Sequence, residues 1–115
     1  TLRTIKEQDD LYAQGRTKKG KIVTNAKGGQ SIHNWGLAFD IVILLDKDNN
    51  GTFEYVSWEV DKHWKMAVDF FKSKGWTWGG DFKTLYDAPH FEYTQGKTWK
   101  HYSELPKDKN GYVIL

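Results

Sequence analysis

Two short stretches carry most of the residues in this chain that could do chemistry. They are Ser31-Ile-His-Asn-Trp-Gly-Leu-Ala-Phe-Asp40 and Asp87-Ala-Pro-His-Phe-Glu92. Between them they supply two histidines, His33 and His90, and three carboxylates, Asp40, Asp87 and Glu92. Imidazole nitrogen and carboxylate oxygen are donors that zinc takes at roughly 2.0–2.2 Å, and a catalytic zinc keeps three protein ligands and one position for water. His33, Asp40 and His90 meet that count. The water then needs a nearby base that is not itself a ligand, and Asp87 and Glu92 are the two candidates. Spacing alone is equally compatible with a structural reading, in which the histidines are satisfied packing residues and Asp40 is held by an arginine such as Arg3.

The elements that must position these groups can be read around them. His33 and Asp40 are seven apart, an odd separation that one straight strand would send to opposite faces. His33 therefore belongs on a turn before the strand, with Gly36 letting the chain fold back. Residues 37–45 read as a central strand, Leu37, Phe39, Ile41, Ile43 and Leu45 on one face and Ala38, Asp40, Val42 and Leu44 on the other. Both faces are apolar, which predicts a strand covered on both sides. Asp40 is then a carboxylate inside an apolar run, and such a group must be paired, hydrogen-bonded or metal-bound. His90 and Glu92, two apart, share one side of a strand over 90–93, with Pro89 at its leading edge.

The rest of the chain supplies a frame. Thr4-Ile-Lys-Glu7 fits a capping box, so a helix is expected over about 5–14, stopped by Gly15. Residues 16–30 are rich in Lys, Gly and Thr without periodicity, a loop long enough to suggest a function. A turn at 46–51 returns the chain as a strand over 52–58. Val60, Trp64, Ala67, Val68 and Phe71 recur at helical spacing, predicting an amphipathic helix over about 60–74 with Gly75 as its stop. A short strand over 76–78, a Gly79-Gly80 turn and a helix over about 97–105 complete the pattern. No repeats or linkers are visible, and 115 residues allow one domain with a single core.

Composition narrows the function classes. Seventeen basic against fifteen acidic residues give a net charge of +2, too slight to imply nucleic-acid binding. A loose cluster of Lys18, Lys19, Lys21 and Lys27 reads as a solvated loop, of use near an anionic polymer. Without cysteine, a thiolate zinc site is excluded. No apolar run approaches transmembrane length and no signal peptide is present. The chain begins at Thr1 and not at Met, as a processed or trimmed product would. The aromatic content of 16% is explained first by packing and second by an aromatic-lined groove.

Several other groups compete for notice. Asp46-x-Asp48-x-Asn50-Gly51-x-x-Glu54 resembles the first half of a calcium loop, with Asp46, Asp48 and Asn50 as candidate ligands, although Ser57 stands where a bidentate Glu is wanted. Asn-Gly is equally a hairpin signal. His63 and His101 sit beside lysines on presumed helices and are expected to be exposed. Asp81 could orient a ligand histidine or only cap its turn. Trp35, Trp78 and Tyr93 flank the site motifs, as core residues or as walls of a peptide groove.

Ser31-x-His33-x-x-Gly36-x-Ala38-x-Asp40, Trp78-Gly-Gly-Asp81-Phe82 and Asp87-x-Pro89-His90-Phe91, in this order, resemble the zinc peptidase family of bacterial D-Ala-D-Ala carboxypeptidases. The likeness is strongest to its L-alanyl-D-glutamate endopeptidase branch, which Arg3-Thr-x-x-Glu7-Gln8-x-x-Leu11-Tyr12-x-x-Gly15-Arg16 also resembles. The resemblance implies an α+β fold: a small antiparallel sheet flanked by helices, similar to the metal-binding domain of hedgehog proteins. It implies zinc held by His33, Asp40 and His90, Asp87 as the acid/base, Arg3 in substrate binding or oxyanion stabilisation, and Ser31 as a contact for a substrate carboxylate. It further implies a single peptidase domain over 1–115, lacking a helix and strand that usually precede the arginine. The expected partner is the peptidoglycan stem peptide, met by a monomer in the periplasm, the cell wall or outside the cell, or by a phage endolysin released to the wall. The expected reaction is cleavage of the L-Ala–D-Glu bond. A D,D- or L,D-carboxypeptidase and a non-hydrolytic wall-binding module are the alternatives.

Overall fold

The computed structural model describes residues 2–115. It is an α+β fold of short helices and small antiparallel sheets. The chain divides into two compact units, Thr1–Phe39 with Thr94–Leu115, and Asp40–Tyr93.

In the first unit, Ile5–Ala13 forms α1. The capping box is made as the sequence predicts: Thr4 Oγ1 accepts from the Glu7 amide, and the Glu7 carboxylate accepts from the Thr4 amide at 2.7 Å, satisfying two donors that the helix start leaves orphaned. The surprise is what α1 buries. Ile5 is half exposed, and the fully buried side chain is Gln8. A buried amide is tolerable only when its hydrogen-bonding capacity is used. Gln8 Nε2 donates to the Ala26 carbonyl at 2.8 Å and to Thr24 Oγ1 at 3.4 Å, while its Oε1 accepts from the Arg3 guanidinium at 2.8 Å.

Past its first turn, where the Arg16, Thr17 and Lys18 amides donate to the Ala13 carbonyl, the loop over 16–30 is tied to α1 largely by side chains. Asp9 accepts from the Gly28 amide at 2.7 Å, and Gln14 donates to the Lys21 carbonyl. Arg16 stacks on Tyr12 at 3.8 Å while donating to the Tyr12 and Thr24 carbonyls. The other core members of this unit are Leu37, Ala38 and Tyr102. Tyr102 lies on α3, Trp99–Glu104, which packs against a 3-10 turn, Ile32–Trp35.

The second unit opens at Asp40, the last residue of β1 (Ala38–Asp40). The long strand predicted over 37–45 does not form. The chain breaks at Ile41-Val42 and resumes as β2, Ile43–Leu45. The two pieces serve different sheets, β1 beside β5 (His90–Glu92) and β4 (Thr77–Trp78) in the order β1-β5-β4, and β2 with β3 (Tyr55–Ser57). At the break, the Ile41 amide donates to the Pro89 carbonyl at 3.0 Å.

The expectation of apolar cover on both faces fails with the strand. Leu44 pairs with Val56 across β2–β3, and Val42, Leu44, Val56 and Trp58 are 36, 46, 41 and 65% exposed. The periodicity was that of a core strand, but the buried share of this unit's apolar surface goes elsewhere. Its core is Trp64, Val68, Ala88 and Phe91. α2, Lys62–Ser73, starts at Asp61, whose carboxylate accepts from the His63 and Trp64 amides. It then lays Trp64, Val68 and Phe71 inward, with the Phe71 and Phe91 rings 5.1 Å apart. Trp64 Nε1 donates to the Ser57 carbonyl at 3.1 Å, so even the buried indole N–H is satisfied.

Candidate metal centre

His33 is buried on the 3-10 turn, as its distance from Asp40 in sequence requires. Ser31 Oγ accepts from the His33 amide at 3.3 Å and caps the turn, and Gly36 ends it at φ +73°, the left-handed region where glycine carries no Cβ penalty. Ser31 thus has a local task, though a hydroxyl that accepts can still donate. The neighbour that organises this turn is Asn34, to which the sequence reading gave no role. Its Oδ1 accepts from the Gly29 and Ser31 amides at 3.0 and 3.3 Å, and its Nδ2 donates to the Arg3 and Thr4 carbonyls at 2.9 and 3.2 Å. The Arg3 amide in turn donates to the His33 carbonyl at 3.0 Å. Arg3 is consequently fixed at backbone and side chain alike, the latter by Gln8.

Asp40 is not the buried carboxylate the strand pattern predicts. Its side chain is 44% exposed, because it ends a strand that stops there. Its partner is His90. Asp40 Oδ1 lies 3.3 Å from His90 Nδ1, and Glu92 Oε1 lies 3.4 Å from the other ring nitrogen, Nε2. Burial pulls the His90 imidazole down, but the hydrogen bonds and charges of Asp40 and Glu92 outweigh it and raise its pKa to about 9.

Asp87 is exposed and sits at the head of a turn whose other end is His90, the His90 amide donating to the Asp87 carbonyl at 3.1 Å. This turn is held against a second one, a 3-10 turn at Gly79–Asp81. The Gly79 carbonyl accepts from the Asp87 amide at 3.0 Å and from Phe82 at 3.3 Å. A Cβ on Gly79 would run into the Asp87 carbonyl oxygen and come within 3.0 Å of His90 Cβ. The sequence marks Gly79-Gly80 as a turn; the stronger demand is room for this close approach. Trp78 Nε1 donates to the Ala88 carbonyl at 2.7 Å and so braces the same turn from the sheet side.

Among the described residues, one group of ligating side chains comes together: His33, Asp40 and His90 each offer an atom, and these atoms lie within 4.8 Å of one another. Two donors held tetrahedrally at roughly 2.0–2.1 Å from zinc stand about 3.3–3.4 Å apart. The 3.3 Å between Asp40 and His90 has that spacing, and it is longer than the ~2.7–2.9 Å of a charge-assisted hydrogen bond. Two imidazoles and a carboxylate are also the donor set of known catalytic zinc sites. The group fits the metal.

The remaining candidates fall away. The 46–54 loop is a hydrogen-bonded turn, and nothing among the described residues supports calcium there. Asp46 accepts from the Asn50 and Gly51 amides, and Asn50 Nδ2 donates to Asp48 and Glu54. Asp81 pairs with Lys72 at 2.7 Å, and the carboxylate at the second nitrogen of the His90 ring, Nε2, is Glu92. His63 pairs with Asp61 at the exposed start of α2.

A fold of this class with this constellation has relatives. Residues 24–93, more than half of the chain, match the family described as D-alanyl-D-alanine carboxypeptidase, and the chain belongs to that family. It is also 45% identical over 99 residues to the peptidoglycan L-alanyl-D-glutamate endopeptidase CwlK of Bacillus subtilis (strain 168), an alignment covering 79% of this chain and 56% of that protein. The chain thus spans a little over half the length of this curated relative.

Proposed function

We propose that this chain is a zinc-dependent peptidoglycan peptidase, one catalytic domain acting as a monomer at the wall, that hydrolyses the L-Ala–D-Glu bond of the stem peptide. The observation that carries the reading is the 3.3 Å spacing of Asp40 and His90 within the group that includes His33. Those three residues would hold the metal. Zinc, when bound there, supplies Lewis acidity at the scissile carbonyl and lowers the pKa of water toward ~7.

The chain's own residues do the rest. Asp87, on the turn that ends in His90, takes the proton from the attacking water and returns it to the leaving amine. Arg3, held by Gln8, meets the negative charge that builds on the carbonyl oxygen. Ser31 contributes its O–H proton to a substrate carboxylate. The likeness to CwlK, named for the L-alanyl-D-glutamate bond, favours the endopeptidase. The family's description as D-alanyl-D-alanine carboxypeptidase favours a second reading, removal of terminal D-Ala by the same groups. No helix among the described residues is long and apolar enough to cross a membrane.

A digest of purified muropeptides analysed by mass separates these readings. A free amino terminus on D-Glu is expected. Release of terminal D-Ala alone would move the assignment to the carboxypeptidase, and no cleavage by the zinc-loaded chain would end both. Chelation should stop cleavage and zinc should restore it, whereas Asp87→Ala should lower kcat by about 10²–10⁴-fold, the usual range for a proton-transfer group.

A further inference from the structure

We propose that Glu92 is a positioning residue for the metal, fixing the tautomer and plane of His90 so that Nδ1 is the atom presented for ligation. The inference rests on the zinc reading above and assigns a role that the ligand set leaves empty. His90 and Glu92 flank Phe91 on β5, and Phe91 is fully buried. Side-chain alternation therefore sends His90 and Glu92 together to the opposite face. There the imidazole stands between two carboxylates, Asp40 at Nδ1 and Glu92 at Nε2. The ring and the Glu92 side chain are only 12 and 17% exposed, so bulk water does not supply an alternative partner freely.

A neutral imidazole has one lone pair and one N–H. Asp40 belongs to the ligating group and Glu92 does not, so Nδ1 is the nitrogen that faces the metal and Nε2 must carry the proton. An ionised carboxylate only accepts, and Glu92 Oε1, 3.4 Å from Nε2, is the carboxylate oxygen within reach of that proton. Without this acceptor, the ring is free to take the other tautomer, whose Nδ1–H cannot ligate, or to rotate about its Cβ–Cγ bond. Such carboxylate–histidine–metal arrangements typically change metal affinity by 10–100-fold when the outer carboxylate is lost. Glu92 was also a candidate base from sequence. Its placement on the far nitrogen of a ligand ring assigns it to orienting instead.

The test is zinc affinity by competition with a chromophoric chelator, for the wild-type chain, Glu92→Ala and Glu92→Gln. Zinc binding to Glu92→Ala should weaken by about 10–100-fold. Glu92→Gln should recover most of it, since its amide oxygen still accepts from Nε2–H. At saturating zinc, Glu92→Gln should keep muropeptide cleavage within a few-fold of wild type. A long-range ¹H–¹⁵N spectrum of the zinc-loaded wild type should show His90 protonated at Nε2, a readout that does not depend on any variant folding. A wild type that binds no zinc overturns the proposed function and this inference with it. A zinc-binding wild type beside a Glu92→Ala of equal affinity, or a His90 protonated at Nδ1, overturns the inference alone. Zinc-saturated Glu92→Gln as inactive as Asp87→Ala would make Glu92 the base and overturn it too.

Discussion

Asn34→Asp changes one atom of the side chain and should be among the most damaging isosteric substitutions in the molecule. The wild-type amide donates two bonds and accepts two, and all four reach backbone groups of separate segments: Arg3 and Thr4 on one side, Gly29 and Ser31 on the other. A carboxylate keeps the two accepted bonds and strengthens them. It also replaces the donor with an oxygen carrying negative charge at 2.9 and 3.2 Å from two carbonyl oxygens. The exposed Thr4 carbonyl keeps the Gln8 amide as a partner, whereas the half-buried Arg3 carbonyl loses this donor, at about 1–3 kcal/mol. With charge repulsion added and partial recovery from the retained pair, a net loss of about 1–3 kcal/mol is expected. For a domain of this size that corresponds to a fall in Tm of roughly 4–12 °C. The loss should also depend on pH. The introduced carboxyl has its pKa raised above the unfolded value, so the penalty appears as pH rises past the ordinary carboxylate range and shrinks below it, where the protonated group can donate again. Thermal unfolding followed by circular dichroism between pH 3.5 and 7.5 reads both effects. A Tm within 2 °C of wild type at pH 7.5, or a penalty that does not shrink in acid, would refute the account of Asn34 as a four-bond tie.

Gly79→Ala should destabilise by about 1–3 kcal/mol, the usual cost of forcing extra volume into a filled site, and reduce cleavage more than Gly80→Ala. Its Cβ meets the Asp87 carbonyl oxygen and His90 Cβ directly, whereas the nearest atoms to a Cβ on Gly80 are those of the Trp78 ring, which braces that turn from outside; equal activity in the two variants would argue against the direct contact. In the zinc-free chain, the His90 pKa of about 9 lies above its unfolded value. Its contribution to stability is therefore complete below about pH 6.5 and lost as pH rises toward 9, and urea unfolding of wild type against His90→Gln should converge across that window. Zinc must displace the same proton, so its uptake at pH 7.5 should release acid into a weakly buffered solution. Calcium at millimolar concentration should leave Tm unchanged, because Asn50 already occupies the acceptors of the 46–54 loop.

What the sequence disclosed depended on whether a signal was local. The Thr4–Glu7 capping box, the stops at Gly15 and Gly75, the helix carrying Trp64 and Val68, and the turn that holds His33 each follow from neighbours in the chain. The strand at 37–45 did not, because alternation fixes which residues share a face but not whether a neighbour covers it, nor that Pro89 captures the Ile41 amide. Asp40 was singled out for burial it does not have; the identity of its partner came from His90, fifty residues away in sequence. What Gln8, Asn34 and Gly79 do was not legible, because it lies in contacts with distant backbone. A buried glutamine on an otherwise amphipathic helix was the one available hint, and hydropathy treats it as an exposed residue.

The loop over 16–30 has almost no ladder of its own, yet its amides and carbonyls are anchored to Asp9 and Gln8 of α1 and to Gln14, which caps the helix end. Its order therefore depends on the helix. Opening of α1 would remove the anchors of the loop with it, so the Gly28 amide, held by Asp9, is expected to be protected more than an irregular stretch would be on sequence statistics.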